Sequence, residues 1–100
     1  MEEGLYEWFY EDGQLKGFDN YKEGEKHGPS ESYYENSQVR WKENFNNGNL
    51  HGSAEDFYPN GQLKQKGNYK NGELHGHCEF FDEEGNLTKT ETWENGKLIE

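Results

Sequence analysis

Residues 52–75 read GSAEDFYPNGQLKQKGNYKNGELH, and this stretch decides the fold because its pattern recurs along the whole chain. Three further units of 24 residues, 4–27, 28–51 and 76–99, align with it without a gap. We number the positions of a unit as columns 1 to 24. Columns 1 and 21 are always glycine, column 4 is always glutamate, columns 6 and 18 are always aromatic, and column 12 is always Leu or Val. Repeats of about 20 to 50 residues predict a stacked array, because one such unit cannot bury its apolar face alone.

The composition is compatible with one domain that spans residues 1–100. The net charge of −11 and the hydrophobic share of 28% are also typical of disordered chains. However, 16% of the residues are aromatic and they return in the same columns, which predicts a packed chain. The single cysteine, Cys78, excludes an internal disulfide and is predicted to be a packed small residue rather than a reactive thiol.

Each unit contains two turn signals. In residues 52–75 they are Pro59-Asn60-Gly61 and Asn71-Gly72, and Asn-Gly between aromatic runs is a strong hairpin signal. The segments between the turns are rich in aromatic and β-branched residues, and their apolar residues lack helical spacing. We therefore predict an all-β fold, an elongated antiparallel meander of about eight strands built from four β-hairpin repeats of 24 residues.

Pro59 indicates which turn joins the two strands of a hairpin. Proline lacks the N–H that a two-residue loop would need at this position, but it fits a type I turn within a three-residue loop that leaves Gly61 left-handed. Such a loop closes between columns 7 and 11 and places column 6 opposite column 12, so that Phe57 faces Leu63. Strict alternation along the strand then predicts that column 18 shares the face of column 12. Ser37 replaces glycine in this loop, which predicts the loosest turn in the second unit.

The segments YPNGQLK (58–64), GNYKNGELHG (67–76) and EGEKHG (23–28) resemble MORN repeats. They are most similar to the bacterial MORN variant found in YwqK-like proteins, which are often described as antitoxins of toxin–antitoxin pairs. The resemblance covers residues 4–98. It implies an all-β array of hairpins and an antitoxin-like role. Arrays of this kind also occur as scaffolds, membrane-associating segments and regulatory appendages of enzymes.

The sequence predicts neither an enzyme nor a metal or cofactor site. His27, His51 and His75 each end a unit, and equivalent residues two strands apart lie roughly 10 Å from one another, too far to share one ion. Glutamates recur in column 4, but acid–base catalysis needs an unequal pair rather than equivalent groups. No nucleophile pairing or phosphate-binding glycine loop is recognisable in the sequence.

The charge pattern indicates the class of partner. None of the four units carries a net positive charge, which argues against nucleic acid and makes binding to anionic membranes unfavourable. An acidic surface instead favours a basic protein partner. The sequence has no apolar run long enough to span a membrane, and the acidic residues 2–3 do not fit a secretory leader, which predicts a cytoplasmic location.

Aromatic side chains outside columns 6 and 18 are the candidate partner-binding residues. They are Tyr10, Tyr34 and Tyr58 in column 7 and Trp8 and Phe80 in column 5. Tyrosine offers a large contact area at low entropic cost, which suits a binding surface. In the alternative interpretation these rings pack between neighbouring hairpins and hold the thin sheet together.

Two functional hypotheses follow. The first is a non-enzymatic interaction module that binds another protein through its tyrosine-rich face, with a toxin as the partner that the resemblance suggests. The second is a structural segment of a longer scaffold. Residues 1–3 fall in the last columns of a preceding unit and Glu100 in the first column of a following one. The chain is therefore either part of a longer array or one whose edges associate end to end.

Overall fold

The computed structural model describes residues 4–100, which form one antiparallel sheet of twelve strands. The strands are β1 (Gly4–Phe9), β2 (Leu15–Lys22), β3 (Glu25–Lys26), β4 (Gly28–Tyr33), β5 (Val39–Asn46), β6 (Asn49–Leu50), β7 (Gly52–Phe57), β8 (Leu63–Lys70), β9 (Glu73–Leu74), β10 (Gly76–Phe81), β11 (Leu87–Glu94) and β12 (Lys97–Leu98). The predicted all-β meander of four hairpin repeats is confirmed. Eight strands are the long ones that the sequence predicts, and four are two-residue strands that follow the Asn-Gly or Glu-Gly turns.

The strands follow one another across the sheet in chain order, and each unit repeats the same path. After the turn at the end of β2, β3 runs back beside β2 for two residues. The chain then bends at Gly28, whose φ is +96°, a value that favours glycine. Beyond the bend, β4 pairs with β2 through only two residue pairs, Gly17 with Ser32 and Phe18 with Glu31. Backbone pairing between neighbouring units is therefore sparse.

The loop that joins the two long strands of a hairpin has the predicted form. In the third unit the Tyr58 N–H donates to the Gln62 carbonyl at 2.8 Å, which closes the loop between columns 7 and 11. Gly61 is left-handed with a φ of +90°, and Phe57 pairs with Leu63. Ser37 adopts the same conformation, with a φ of +73°. That its turn is the loosest of the four stays a prediction.

A β-bulge next to this loop overturns one prediction. Trp8 pairs with Gly17 but Phe9 pairs with Leu15, so Lys16 is an extra residue in β2, and the other units repeat this shift. Directly paired residues project from the same face, so the bulge places column 12 with column 6 and column 18 with columns 3 and 5. The prediction that columns 12 and 18 share a face is wrong, because strict alternation does not hold across a bulge.

The sheet is a single layer, with extents of 40 × 33 × 12 Å. We call the side formed by columns 3, 5, 14, 16, 18 and 23 the front face and the side formed by columns 4, 6 and 12 the back face. Among residues 4–100, Cys78 is the one buried hydrophobic side chain, so the layer has no conventional apolar core. The most exposed large hydrophobic side chains lie at the two ends of the sheet: Leu5, Tyr6, Phe9, Leu87, Leu98 and Ile99.

Candidate interaction surface

The tyrosines of column 7 connect neighbouring units. The Tyr10 hydroxyl donates to the Tyr33 carbonyl at 2.7 Å, Tyr34 donates to Phe57 at 2.7 Å, and Tyr58 donates to Phe81 at 2.9 Å. All three tyrosines are half-buried. This is the geometry of the alternative interpretation, in which the rings hold hairpins together. Their half-exposed faces remain available to a partner, and partner binding by these residues stays a prediction.

Two further sets of hydrogen bonds join neighbouring units. At the loop end, the Asn36 side-chain amide donates to the Pro59 carbonyl at 2.8 Å, and Asn60 does the same to Glu83 at 2.9 Å. At the turn end, the backbone N–H of three column-21 glycines donates to the column-23 carbonyl of the preceding unit at 2.9–3.0 Å: Gly48, Gly72 and Gly96. The second unit is thus joined to the third, and the third to the fourth, at both ends of the hairpin, which compensates for the short backbone pairing between units.

Trp8 and Phe80 lie on the front face, but at opposite ends of the sheet. Trp8 covers Gly17, because a Cβ built on Gly17 would be 3.1 Å from the indole ring and 2.7 Å from the Glu31 carbonyl oxygen. Phe80 lies in β10, where the Lys89 ammonium is 5.3 Å from its ring centre. The structure therefore does not bring the five predicted binding residues into one cluster.

A cavity of about 110 Å³ opens on the front face between the third and fourth units. Its apolar lining is formed by Tyr69, Leu74, Cys78 and Phe80. The cavity exists because column 16 carries an acidic side chain in the other three units but glycine in the third, at position 67. A Cβ at this glycine would lie 3.0 Å from the Cys78 sulfur, so even alanine would crowd the site.

Three carboxylates, Glu43, Asp56 and Glu91, also line this cavity, and two of them form no direct ion pair. Burial raises the pKa of Glu43 and the charge of Asp56 raises it further, whereas the charge of Lys26 lowers it. Burial also raises the pKa of Asp56, whereas the charge of Lys64 lowers it. The two ion pairs among the described residues are Lys26 with Asp19 and Lys89 with Glu91, so neither neutralises Glu43 or Asp56.

Glu91 differs from these two carboxylates because it already has an ion-pair partner and a hydrogen-bond donor. The Lys89 ammonium lies 2.8 Å from its carboxylate, and the Trp93 indole N–H donates to it at 3.1 Å. These contacts lower the pKa of Glu91. Asp19, the equivalent residue of the first unit, accepts a hydrogen bond from the Ser30 hydroxyl and lies 3.7 Å from Lys26. Glu43 and Asp56 are thus the front-face carboxylates that form no direct ion pair.

The histidines that end the units have a backbone role. The N–H groups of His27, His51 and His75 each donate at 2.9 Å to the carbonyl of the column-17 asparagine of the same unit. Among residues 4–100 no group of three or more His, Cys, Asp or Glu side chains could hold a metal ion. Cys78 is buried, and burial raises the pKa of its thiol, which keeps it protonated at neutral pH.

The cavity residues Glu43, Asp56 and Tyr69 were not predicted from the sequence as a site. The available signal was the glycine at position 67 in an otherwise acidic column. The importance of this glycine becomes clear only with the bulge, which places column 16 opposite column 3, where the fourth unit has Cys78.

The structure defines this chain as a single-layer array of β-hairpin repeats joined by side-chain and backbone hydrogen bonds. The family described as MORN repeat variant matches residues 2–23, 26–47, 50–71 and 74–95, and the chain belongs to this family. The four matches recur every 24 residues, in agreement with the repeat length seen in the sequence.

Among solved structures, the chain is similar to part of a crystal structure of a mutant of S. aureus TarM in complex with fondaparinux, α-GlcNAc-glycerol and UDP. The TM-score is 0.56 at 16% sequence identity, and the match covers 96% of this chain but 19% of the TarM chain. At this identity the similarity concerns the fold alone. No curated protein sequence matches the chain. The part of the chain that the structure describes contains no helix long and apolar enough to cross a membrane.

Proposed function

We propose that this protein is a non-enzymatic interaction module whose front face binds a basic segment of another protein. MORN repeats are generally protein- or membrane-interaction modules, which gives the class of function. The observation that carries the choice of partner is the pair of carboxylates without a direct ion pair, Glu43 and Asp56, beside the aromatic side chains of the front face. A basic partner gains attraction there, whereas an anionic membrane or nucleic acid is repelled.

The antitoxin-like role is a finer form of this proposal. A toxin held by the front face would be inhibited because its own functional surface is covered, which requires no chemistry from this chain. The net charge of −11 supports rapid capture of a basic toxin, since attraction between opposite charges increases association rates.

Affinity capture from a lysate of the source organism tests the proposal when three forms of the chain are compared. The wild-type chain is expected to retain a basic protein at low salt and to release it at high salt. The double variant Glu43→Gln/Asp56→Asn is expected to lose most of that protein. The matched control Glu55→Gln/Glu79→Gln removes the same charge from half-buried positions on the back face and is expected to behave like wild type.

Mass spectrometry of the retained proteins gives the outcome. Equal capture by the wild-type and front-face variants would contradict the proposed surface, and failure of the wild-type chain to capture any basic protein would contradict the proposed function.

The scaffold function is a second candidate. The large exposed hydrophobic side chains at both ends of the sheet favour it, because such ends can associate with another copy or another protein. Its test is the oligomeric state of the chain in solution.

A further inference from the structure

The cavity at position 67 has walls of two chemical kinds. Tyr69 and Phe80 contribute aromatic rings and Leu74 contributes an aliphatic wall, whereas Glu43 and Asp56 contribute negative charge. Lys66 also lines the cavity, but it pairs with Glu55 of the back face, so its ammonium group projects to the opposite side of the sheet. The cavity is open to solvent on the front face, so a side chain of a bound segment can enter it without rearrangement of the backbone. These walls select the chemistry of the group that enters.

A long cationic side chain matches both kinds of wall. The methylene stem of lysine or arginine covers apolar surface while its charged end seeks polar partners. Aromatic rings attract cations through their π-faces, as the Lys26 ammonium already does at 4.9 Å from the Phe45 ring centre elsewhere on this face. The carboxylates of Glu43 and Asp56 then accept hydrogen bonds from the charged end.

Other occupants fit less well. An apolar side chain would bury Glu43 and Asp56 further without neutralising them, which is unfavourable. An anionic group would be repelled by both. A metal ion lacks a ligand set, because the described residues contain no suitable group of three or more donors.

We infer that this cavity is the subsite that receives one lysine or arginine side chain of the bound segment. The inference rests on the proposed function and adds to it the residue type that the surface selects. The glycine at position 67 provides the space, and Glu43 and Asp56 provide the charge.

The probes that test this subsite are n-butylammonium and n-butylguanidinium, which reproduce the ends of lysine and arginine, with 1-butanol as a neutral control. Each is titrated into the ¹⁵N-labelled full chain at constant ionic strength, and backbone amide shifts are followed by NMR. Both cations are expected to give saturable shifts centred on the amides of residues 67, 69 and 78. Butanol is expected to give none there.

Two variants complete the test. Glu43→Gln/Asp56→Asn is expected to weaken the binding of both cations about tenfold, which corresponds to roughly 1.4 kcal/mol. Glu55→Gln/Glu79→Gln is expected to leave the affinity unchanged. Equal shifts with butanol, or shifts spread over carboxylates of both faces, would overturn the subsite.

The result separates the subsite from the proposed function. Local, saturable binding of the cations by a chain that captures no basic protein would support the subsite and overturn the function. Capture of a basic protein without local cation shifts would support the function and overturn the subsite.

Discussion

Glu43 and Asp56, which we propose to bind the basic partner, lower the stability of the fold when they are charged. Burial raises the pKa of both, and the charge of Asp56 raises that of Glu43 further, against the opposing charges of Lys26 on Glu43 and Lys64 on Asp56, so the folded chain binds protons more readily than the unfolded chain. Stability therefore falls as the pH rises through the interval between the ordinary carboxyl pKa values and the raised ones. Above that interval, both carboxylates are charged and the full penalty is present.

The Glu43→Gln/Asp56→Asn variant is accordingly expected to be more stable than wild type at neutral pH. We expect a Tm increase of a few degrees at pH 7, because neutral amides carry no repelling charge. The difference is expected to shrink as the pH falls through the interval between the raised and the ordinary carboxyl pKa values, because the folded wild-type carboxyls become protonated there. Thermal unfolding followed by circular dichroism from pH 3 to 8 measures this. A variant less stable than wild type at pH 7 would contradict the conclusion that the charges of Glu43 and Asp56 destabilise the fold.

At the scale of the hairpin, side-chain hydrogen bonds hold neighbouring units together, whereas in other sheets longer strand pairing does so. Neighbouring units share only two backbone residue pairs along their long strands, as between β2 and β4. Tyr34 and Tyr58 each add a hydroxyl bond to the next unit. The stability of the array should therefore be sensitive to the hydroxyl itself, apart from the ring.

Replacement of Tyr34 or Tyr58 by phenylalanine removes that bond and leaves the next unit's carbonyl without its partner. We expect each substitution to lower the free energy of unfolding by about 1 kcal/mol. This corresponds to roughly 4 to 8 °C in Tm for a domain of this size. Urea unfolding and thermal melts provide both values.

Tyr33→Phe is the matched control for these substitutions. Its hydroxyl donates at 2.9 Å to Glu31 within the same strand and does not join units. Burial and this contact raise the pKa of Tyr33 to about 12, so the phenol is neutral at ordinary pH. The control is expected to change Tm by no more than a couple of degrees. Equal losses of stability in all three variants would mean that the inter-unit hydrogen bonds contribute no more to stability than the bond within the strand.

The hairpin is also the scale at which the limits of sequence-based prediction are clearest. Pro59 predicted the three-residue loop correctly because its missing N–H excludes the shorter one. No sequence feature indicates the bulge at column 13, since Lys16 and its equivalents are ordinary strand residues close to the loop. The faces of the columns beyond the bulge, and with them the cavity, could therefore not be placed from the sequence.

At the scale of the whole molecule, the fourth unit differs from the others in what it can offer a neighbour. In column 7 it carries Asp82 instead of tyrosine, and in column 9 it carries Glu84 instead of a residue like Asn36 or Asn60. Ionised carboxylates donate no hydrogen bonds. Asp82 instead accepts hydrogen bonds from the backbone N–H groups of Asn86 at 3.0 Å and Glu84 at 2.9 Å in its own loop, which lower its pKa. The exposed apolar ends favour stacking of a second copy, but the bonds that join units inside the sheet are absent at this end.

The chain is therefore expected to be monomeric, and Asp82→Tyr/Glu84→Asn is expected to associate end to end. The two substitutions restore the donors that Tyr58 and Asn60 supply to the next unit, and they remove carboxylates that would face backbone carbonyls of a second copy. Size-exclusion chromatography with light scattering, at protein concentrations from micromolar to millimolar, gives the molar mass of the particles in solution. Glu83→Gln/Glu94→Gln removes equal charge at the same end without restoring these donors and should stay monomeric. Oligomers of the wild-type chain would contradict the expected monomer and favour the scaffold function. A monomeric Asp82→Tyr/Glu84→Asn variant would mean that these hydrogen bonds are too weak to join copies.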